Sequence, residues 1–85
     1  MNEEALEDQA TISYEKWCEH LAREFPRVPE YTRESYARVL AFKLRPGSFL
    51  QACITNDLFG AISRADPQNR AALYDIVRMI RSTTT

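Results

Sequence analysis

Four prolines divide this sequence into stretches that each carry the apolar pattern of a helix. They are Pro26, Pro29, Pro46 and Pro67. Proline has no backbone N–H and disfavours the helical conformation in the residue before it, so helices end before such positions or begin at them. Between the prolines, apolar residues recur three and four positions apart, and no stretch shows the period of two of a half-buried strand. The sequence therefore predicts an all-α fold, a compact bundle of four to five short helices.

The first apolar pattern lies between residues 13 and 25. Its members share one helical face: Tyr14, Trp17, Cys18, Leu21 and Phe25. Ser13 is a favourable N-cap, with Ile12 and Trp17 at the positions of a hydrophobic staple. Residues 1–10 are acidic and carry no clear stripe, so we expect them to be frayed or only partly helical. The first helix is therefore predicted to start after Ser13 and to end before Pro26.

A second helix is predicted after Pro29. Thr32 is its expected N-cap, with Tyr31 and Tyr36 at the staple positions around it. The apolar stripe continues through three aliphatic residues, Val39, Leu40 and Leu44. Because Arg45 precedes a proline, this helix should stop near Leu44.

Residues 46–65 allow either one helix or two. Pro46 suits the first helical position, and the apolar spacing fits one continuous helix from about 47 to 65. Against that, Thr55, Asn56 and Asp57 are three weak helix formers in a row, and Asn56 is a favourable N-cap. We favour two short helices, 47–55 and 57–65, joined by a tight turn at Asn56. Phe59 would then point to a different neighbour.

The last helix has the clearest start. Asp66 is its expected N-cap, Pro67 takes the first helical position, and the Asn69 side chain can reach back from the third. An apolar stripe follows, made of Leu73, Ile76, Val77 and Ile80.

Length and charge suggest how the domain meets other molecules. The 85 residues suit one helical domain spanning 1–85, and so small a core is compatible with a homodimer or a larger homo-oligomer. Residues 1–34 hold nine acids and four bases, a net charge of −5, whereas residues 35–85 hold seven bases and three acids, a net charge of +4. This asymmetry is compatible with head-to-tail association, or with one acidic and one basic partner surface.

Several kinds of chemistry lack their usual residues. His20 is the sole histidine, so no nucleophile–base pair or histidine-based metal site is evident, and we expect no enzyme activity, cofactor or metal. Cys18 and Cys53 are not spaced as metal ligands and are expected to be free, buried thiols. The sequence contains no run of the about 18–20 apolar residues that a helix needs to span a membrane.

A second stripe on the last helix is the best candidate for a binding surface. It consists of Arg70, Tyr74, Arg78 and Arg81. Arginine and tyrosine are favoured as anchors in protein interfaces, and arginine also contacts phosphates. The plainer alternative is a solvated helix face. Arg64 is expected to bond carbonyls or caps at the corner between helices. If the stripe is functional, the overall negative charge favours a protein partner over nucleic acid.

The stretch from Arg45 to Ile80 resembles a family of short, uncharacterised phage and prophage proteins. The shared pattern is a Pro-Gly-x-Phe-Leu start, an Asn-Asp-Leu, an Arg-Ala-Asp, then an asparagine and an apolar helix. In this chain it comprises Pro46, Gly47, Phe49, Leu50, Asn56, Asp57, Leu58, Arg64, Ala65, Asp66, Asn69, Leu73, Ile76 and Val77. The resemblance implies an accessory protein of a bacterial virus, acting in the host cytoplasm.

These observations lead to one main expectation and two alternatives. The main one is a phage-encoded binding protein that inhibits or redirects a host protein by stoichiometric binding, with an anti-CRISPR-like inhibitor of host defence as one form. The first alternative is a small nucleic-acid-binding regulator that uses Arg64 or the Arg70–Arg81 stripe. The second is a structural or oligomeric phage component.

Overall fold

A computed structural model describes the backbone of residues 3–83 and the side chains of residues 9–83. This part of the chain forms six helices and no strand, so the predicted all-α fold is confirmed. In chain order the helices are α1 (Glu3–Glu24), α2 (Glu30–Phe42), α3 (Ser48–Ile54), α4 (Leu58–Arg64), α5 (Pro67–Ala71) and α6 (Leu73–Thr83).

Helix α1 starts well before the predicted cap. Ser13 lies inside the helix, so its prediction as an N-cap is wrong, and the stretch expected to be frayed or partly helical is helical from Glu3 onward. Residues 3–12 contain mostly good helix formers, with no proline or glycine to interrupt them. Acidic residues in the first turns also interact favourably with the positive end of the helix dipole.

Helices α1 and α2 form an antiparallel hairpin. The connection between them is short, and the Tyr14 ring packs on the Phe42 ring with centroids 5.9 Å apart. Because Phe42 is the last residue of α2, the part of α1 before Tyr14 extends past the end of its partner helix. The described chain is accordingly elongated, measuring 43 × 24 × 24 Å.

Helix α2 also starts earlier than expected, and this changes the role of Thr32. The Pro29 carbonyl accepts hydrogen bonds from the N–H groups of Thr32 and Arg33, each at 3.0 Å, so the helical turn is already formed there. Thr32 is only 3% exposed, and its prediction as an N-cap is wrong. At the other end α2 stops at Phe42, two residues before the predicted Leu44.

The first turn of α2 is fastened to the start of α5. The Thr32 hydroxyl donates to Asn69 Oδ1 at 2.5 Å, and the Tyr31 hydroxyl donates to Asp66 Oδ2 at 2.5 Å. Asp66 Oδ1 also accepts the Asn69 backbone N–H at 2.7 Å, which confirms Asp66 as the N-cap of α5. The Asn69 side chain, expected to reach back and cap α5, is instead buried against Thr32, so that prediction is wrong.

The predicted break between α3 and α4 is confirmed, but Asn56 has a different role. Asn56 adopts a left-handed conformation with φ of 62°, which asparagine tolerates better than most residues. Its N–H bonds to the Cys53 carbonyl, and the Asp57 N–H bonds to the Ala52 carbonyl at 2.8 Å. This pair of bonds is the Schellman motif, which closes a helix. Asn56 therefore ends α3, and the prediction that it caps α4 is wrong.

Asp57 is the N-cap of α4. Its Oδ1 accepts the Gly60 N–H at 3.0 Å. A Cβ atom at Gly60 would lie 2.1 Å from Asp57 Oδ2, so the absence of a side chain at Gly60 leaves room for this cap. Helix α3 starts at Ser48, two residues after Pro46, which was predicted to take the first helical position.

The last predicted helix is divided in two at Ala72. The Ala72 N–H lies 3.2 Å from two carbonyls, those of Gln68 and Asn69, where the turn between α5 and α6 tightens. Two members of the predicted stripe, Ile76 and Ile80, are buried as expected. The prediction that Val77 lies in the core is wrong, because Val77 is 40% exposed. Met79 is fully buried instead.

One hydrophobic core holds the helices together. Its buried members come from α1, α2, α3 and α6, from the α1–α2 turn and from Ala72 between α5 and α6: Leu21, Phe25, Val28, Tyr36, Ala37, Leu50, Ala72, Ile76, Met79 and Ile80. Cys18 and Cys53 pack against this core as free thiols. The Tyr36 and Thr83 hydroxyls are hydrogen bonded, which ties the end of α6 to α2.

Removing the Thr32 hydroxyl should leave a buried acceptor without its donor. We expect Thr32→Val to lower the free energy of unfolding by about 1–3 kcal/mol, because Asn69 Oδ1 loses its partner. Ser63→Ala removes an exposed hydroxyl of α4 and should change it by less than about 0.5 kcal/mol. Adding Asn69→Leu to Thr32→Val should cost less than the sum of the single changes in urea unfolding. Strict additivity would contradict the pairing.

Stability should also fall in acid through Asp66. Hydrogen bonds from the Asn69 N–H and the Tyr31 hydroxyl lower the pKa of Asp66 below its ordinary 3.8. The unfolded chain therefore takes up this proton first, so this contribution is present above about pH 4 and is lost as the pH falls through the folded pKa. The Asp66→Asn variant keeps a side chain that can cap α5, but this side chain has no proton to gain or lose in this pH range. Its melting temperature should depend less on pH than that of wild type, and equal dependence between about pH 5 and 2 would contradict the assignment.

Candidate functional site

The predicted binding stripe lies on the exposed side of α5 and α6. Arg70, Tyr74, Arg78 and Arg81 are all exposed, and the Tyr74 side chain is 76% accessible. Arg78 holds a defined position within the stripe. Its Cζ lies 6.0 Å from the Tyr74 ring centroid and 5.8 Å from that of Phe25, and its Nη1 lies 3.7 Å from Asp75 Oδ1.

Two arginines of the predicted set lie near the corner between α4 and α5. The corner contact expected of Arg64 is made by Arg70, whose Nη2 donates to the Ala65 carbonyl at 3.1 Å. Arg64 is exposed on the last turn of α4, and its Nη1 lies close to Gly60. Arg70 therefore contacts the backbone at this corner, whereas the charged group of Arg64 lies at the surface.

An apolar surface on α4 adjoins the stripe. Leu58 is 59% exposed and Phe59 is 84% exposed, and Ile62 follows Leu58 one turn later. Leu58 and Ile62 belong to the apolar spacing of residues 46–65, and Phe59 was expected to point to a different neighbour. All three side chains instead face solvent to a large extent. The only sequence signal for this was the position of Phe59 off the stripe.

A shallow groove joins this surface to α6. It has a volume of about 40 Å³ and is lined by residues of α3, α4, α6 and the turn before α4: Ala52, Cys53, Asn56, Asp57, Leu58, Ala61, Leu73 and Val77. Leu58 and Val77 therefore border the same depression. Tyr74 and Arg81 lie one turn on either side of Val77 on α6. The apolar residues of α4 and the stripe on α6 are thus parts of one surface.

We call this surface the α4–α6 face. It consists of five apolar or aromatic residues and two arginines: Leu58, Phe59, Ile62, Tyr74, Val77, Arg78 and Arg81. Contiguous exposed apolar patches of more than a few hundred Å² often mark surfaces that bind another molecule. Aromatic residues and arginine are also the residue types enriched in the energetically dominant parts of protein interfaces.

The thiol in the groove is not activated. Burial raises the pKa of the Cys53 thiol, so less of it is in the nucleophilic thiolate form at neutral pH than for an exposed cysteine. Within the described residues, no group of three or more metal-binding side chains occurs, and none of the helices is long and apolar enough to cross a membrane.

His20 lies on a different surface, along α1. The groove there has a volume of about 510 Å³ and is lined by Gln9, Ile12, Ser13, Lys16, Trp17 and His20. The His20 ring meets the Trp17 ring edge-on, with centroids 5.8 Å apart. None of the described residues that line this groove is a carboxylate.

Comparison with known proteins finds no relative of this chain. Neither a protein-family model, nor a curated protein, nor a solved structure matches this chain. The resemblance to short phage proteins therefore stays a prediction, and the candidate site depends on geometry alone.

The aromatic residues of the α4–α6 face should be dispensable for folding. We expect Phe59→Ser and Tyr74→Ser to change the free energy of unfolding by less than about 0.5 kcal/mol each, because both side chains are largely exposed. Met79→Ala, in the core, should cost about 2–5 kcal/mol in the same urea titration. A large loss with either serine variant would show that the face serves the fold.

Proposed function

We propose that this chain is a small binding protein that acts by stoichiometric capture of a partner protein through the α4–α6 face. The observation that carries this proposal is the groove bordered by the exposed residues Leu58 and Val77. Phe59 follows Leu58 in the chain and Tyr74 lies one turn before Val77, and both side chains are largely exposed. Burying these side chains in an interface removes apolar area from water, which supplies most of the free energy of protein association.

The charges of the face support a partner with an acidic surface. Arg64, Arg70, Arg78 and Arg81 lie on or beside it, against two carboxylates, Asp57 and Asp75. Asp57 accepts a hydrogen bond within α4, and Asp75 is paired with Arg78. Arg78 is held by Asp75 and two aromatic rings, so it loses little conformational freedom when a partner binds.

The biological class of the partner comes from the resemblance alone. Short phage proteins of the kind described above suggest a host protein, or a component of a bacterial immune system such as CRISPR, encountered in the host cytoplasm. Inhibition by binding requires no catalytic group, which agrees with a candidate site made of apolar, aromatic and arginine side chains. On this proposal the protein occupies a surface that its target needs.

A nucleic-acid partner is the second candidate, since the same arginines could contact phosphates. One feature of the described residues favours the protein partner. Leu58, Phe59 and Val77 are apolar and offer nothing that a phosphate backbone would bind.

The proposal is tested by capture with matched baits, followed by reconstitution. The wild-type chain, a Phe59→Ala/Tyr74→Ala variant and a Leu44→Ala control are immobilised and exposed to bacterial lysate; Leu44 is also an exposed apolar residue, but lies outside the face. A protein retained by wild type and control is then purified and titrated calorimetrically. We expect a fixed stoichiometry, and a dissociation constant raised by about 30-fold or more in the double variant.

Two outcomes would overturn this function. One is equal retention of every protein by the wild type and the double variant. The other is a salt-dependent shift of duplex DNA at low ionic strength that is lost in Arg78→Glu, which would instead support the nucleic-acid regulator.

A further inference from the structure

A cleft lies where the start of α3 and the loop before it pass the first turns of α2. It is made of two depressions, of about 260 and 170 Å³, that share Ser35, Gly47 and Leu50 in their lining. The larger depression reaches Asn69 in α5, and the smaller one reaches Arg45 in the loop. We call the two together the α2–α3 cleft. Their combined size falls in the range of small-molecule sites, about 300–1,000 Å³.

The cleft contains hydrogen-bonding groups that the fold does not use. Asn69 is only 7% exposed, and its Oδ1 accepts the Thr32 hydroxyl, but its Nδ2 bonds to no described residue. Every fully enclosed side-chain nitrogen or oxygen among the described residues has a partner, so Nδ2 is reached from outside, through the cleft that Asn69 lines. The Ser35 and Ser48 hydroxyls, which also line it, likewise bond to no described residue. A ligand with hydrogen-bond acceptors would satisfy these groups.

Gly47 leaves the middle of the cleft open, and the fold does not require glycine there. Its φ of −66° and ψ of 171° are extended backbone angles that any residue can adopt. A Cβ atom at Gly47 would meet no heavy atom within 4 Å. Because Gly47 lines both depressions, a larger side chain at this position would take up space in the cleft.

The charged residues of the cleft are basic. Arg38 and Arg45 line the smaller depression, and none of the described residues that line either depression is a carboxylate. The nearby acids are already engaged, since Glu34 Oε2 lies 4.0 Å from Arg38 Nη2 and Asp66 accepts the Tyr31 hydroxyl. Arg45 is exposed and makes no ion pair with a described residue. This end of the cleft therefore favours an anion.

We propose that the α2–α3 cleft binds a small phosphate monoester whose organic part is a polar ring, such as a nucleotide or a sugar phosphate. The phosphate lies at Arg38 and Arg45, because guanidinium groups bind phosphate oxygens through paired hydrogen bonds. The ring occupies the space beside Gly47 and places an acceptor on Asn69 Nδ2. Two arginines favour a phosphate, with a charge of about −1.5 to −2 at pH 7, over a single carboxylate. The unused donors favour a polar ring over an alkyl chain.

This proposal goes beyond the proposed function, because it uses a different surface. None of the residues that line the α2–α3 cleft belongs to the α4–α6 face. Binding of a small molecule and capture of a partner protein can therefore be lost separately.

The test is calorimetric titration of the full chain with uridine monophosphate, adenosine monophosphate and glucose 6-phosphate. At least one ester should bind with a dissociation constant below about 1 mM. Inorganic phosphate and the matching compound without phosphate should each bind about tenfold more weakly, because each uses one end of the cleft. In an amide-detected NMR spectrum, the signals of the Asn69 side-chain amide and the Gly47 N–H should be among those that shift most.

Variants at Gly47 test the location without disturbing the core. Gly47→Phe should fill the cleft and abolish binding, whereas Gly47→Ala should leave the dissociation constant within about threefold. Both variants should retain the wild-type melting temperature within a few degrees, because the backbone angles suit any residue. Arg45→Gln should weaken binding about fivefold or more. Arg23→Gln removes an equal charge from α1, outside the cleft, and should change binding by less than about twofold.

Three results would overturn the proposal. They are no binding of any of the three esters, an ester that binds no more tightly than inorganic phosphate, and equal binding by wild type and a folded Gly47→Phe variant. None of these results affects capture of a partner by the α4–α6 face.

Discussion

The hydrogen bond from Thr32 to Asn69 joins residues that are 37 positions apart, and it lies in the protein interior. This hydrogen bond contributes to folding stability because it is buried. An unpaired amide oxygen in the interior would cost about 1–3 kcal/mol of stability. The neighbouring bond from Tyr31 to Asp66 engages the residue that caps α5. The Asp66–Pro67 pair sets where α5 starts, and its contacts with the first turn of α2 determine which side of α5 faces inward.

The orientation of α6 follows from this attachment. Asn69 is held at the start of α5 and Thr83 is bonded to Tyr36 at the end of α6, so the residues between them that face the core are Ala72, Ile76, Met79 and Ile80. Residues on the opposite side, Tyr74, Val77 and Arg78 among them, are left at the surface. The α4–α6 face is therefore a consequence of the same polar contacts that position the last helices.

Local signals in the sequence predicted the helices better than they predicted the roles of polar residues. Proline positions and apolar spacing were sufficient for the all-α class, and the weak helix formers Thr55, Asn56 and Asp57 predicted the break between α3 and α4 against that spacing. Asp66 was correctly placed because an aspartate followed by proline has few other structural uses. Thr32 and Asn56 were misplaced because threonine and asparagine also form tertiary hydrogen bonds and left-handed helix ends, which local spacing does not distinguish from caps.

The sequence by itself determined which segments are helical, because helix propensity and apolar periodicity act between residues close in the chain. It also placed Arg78 and Arg81 together with Tyr74 on one helix side. Tertiary structure decided which apolar residues are covered, since Leu58, Ile62 and Val77 carry the same local pattern as core residues and are nevertheless exposed. Burial depends on what packs from elsewhere in the chain, and among the described residues no other helix covers the side chains of the α4–α6 face.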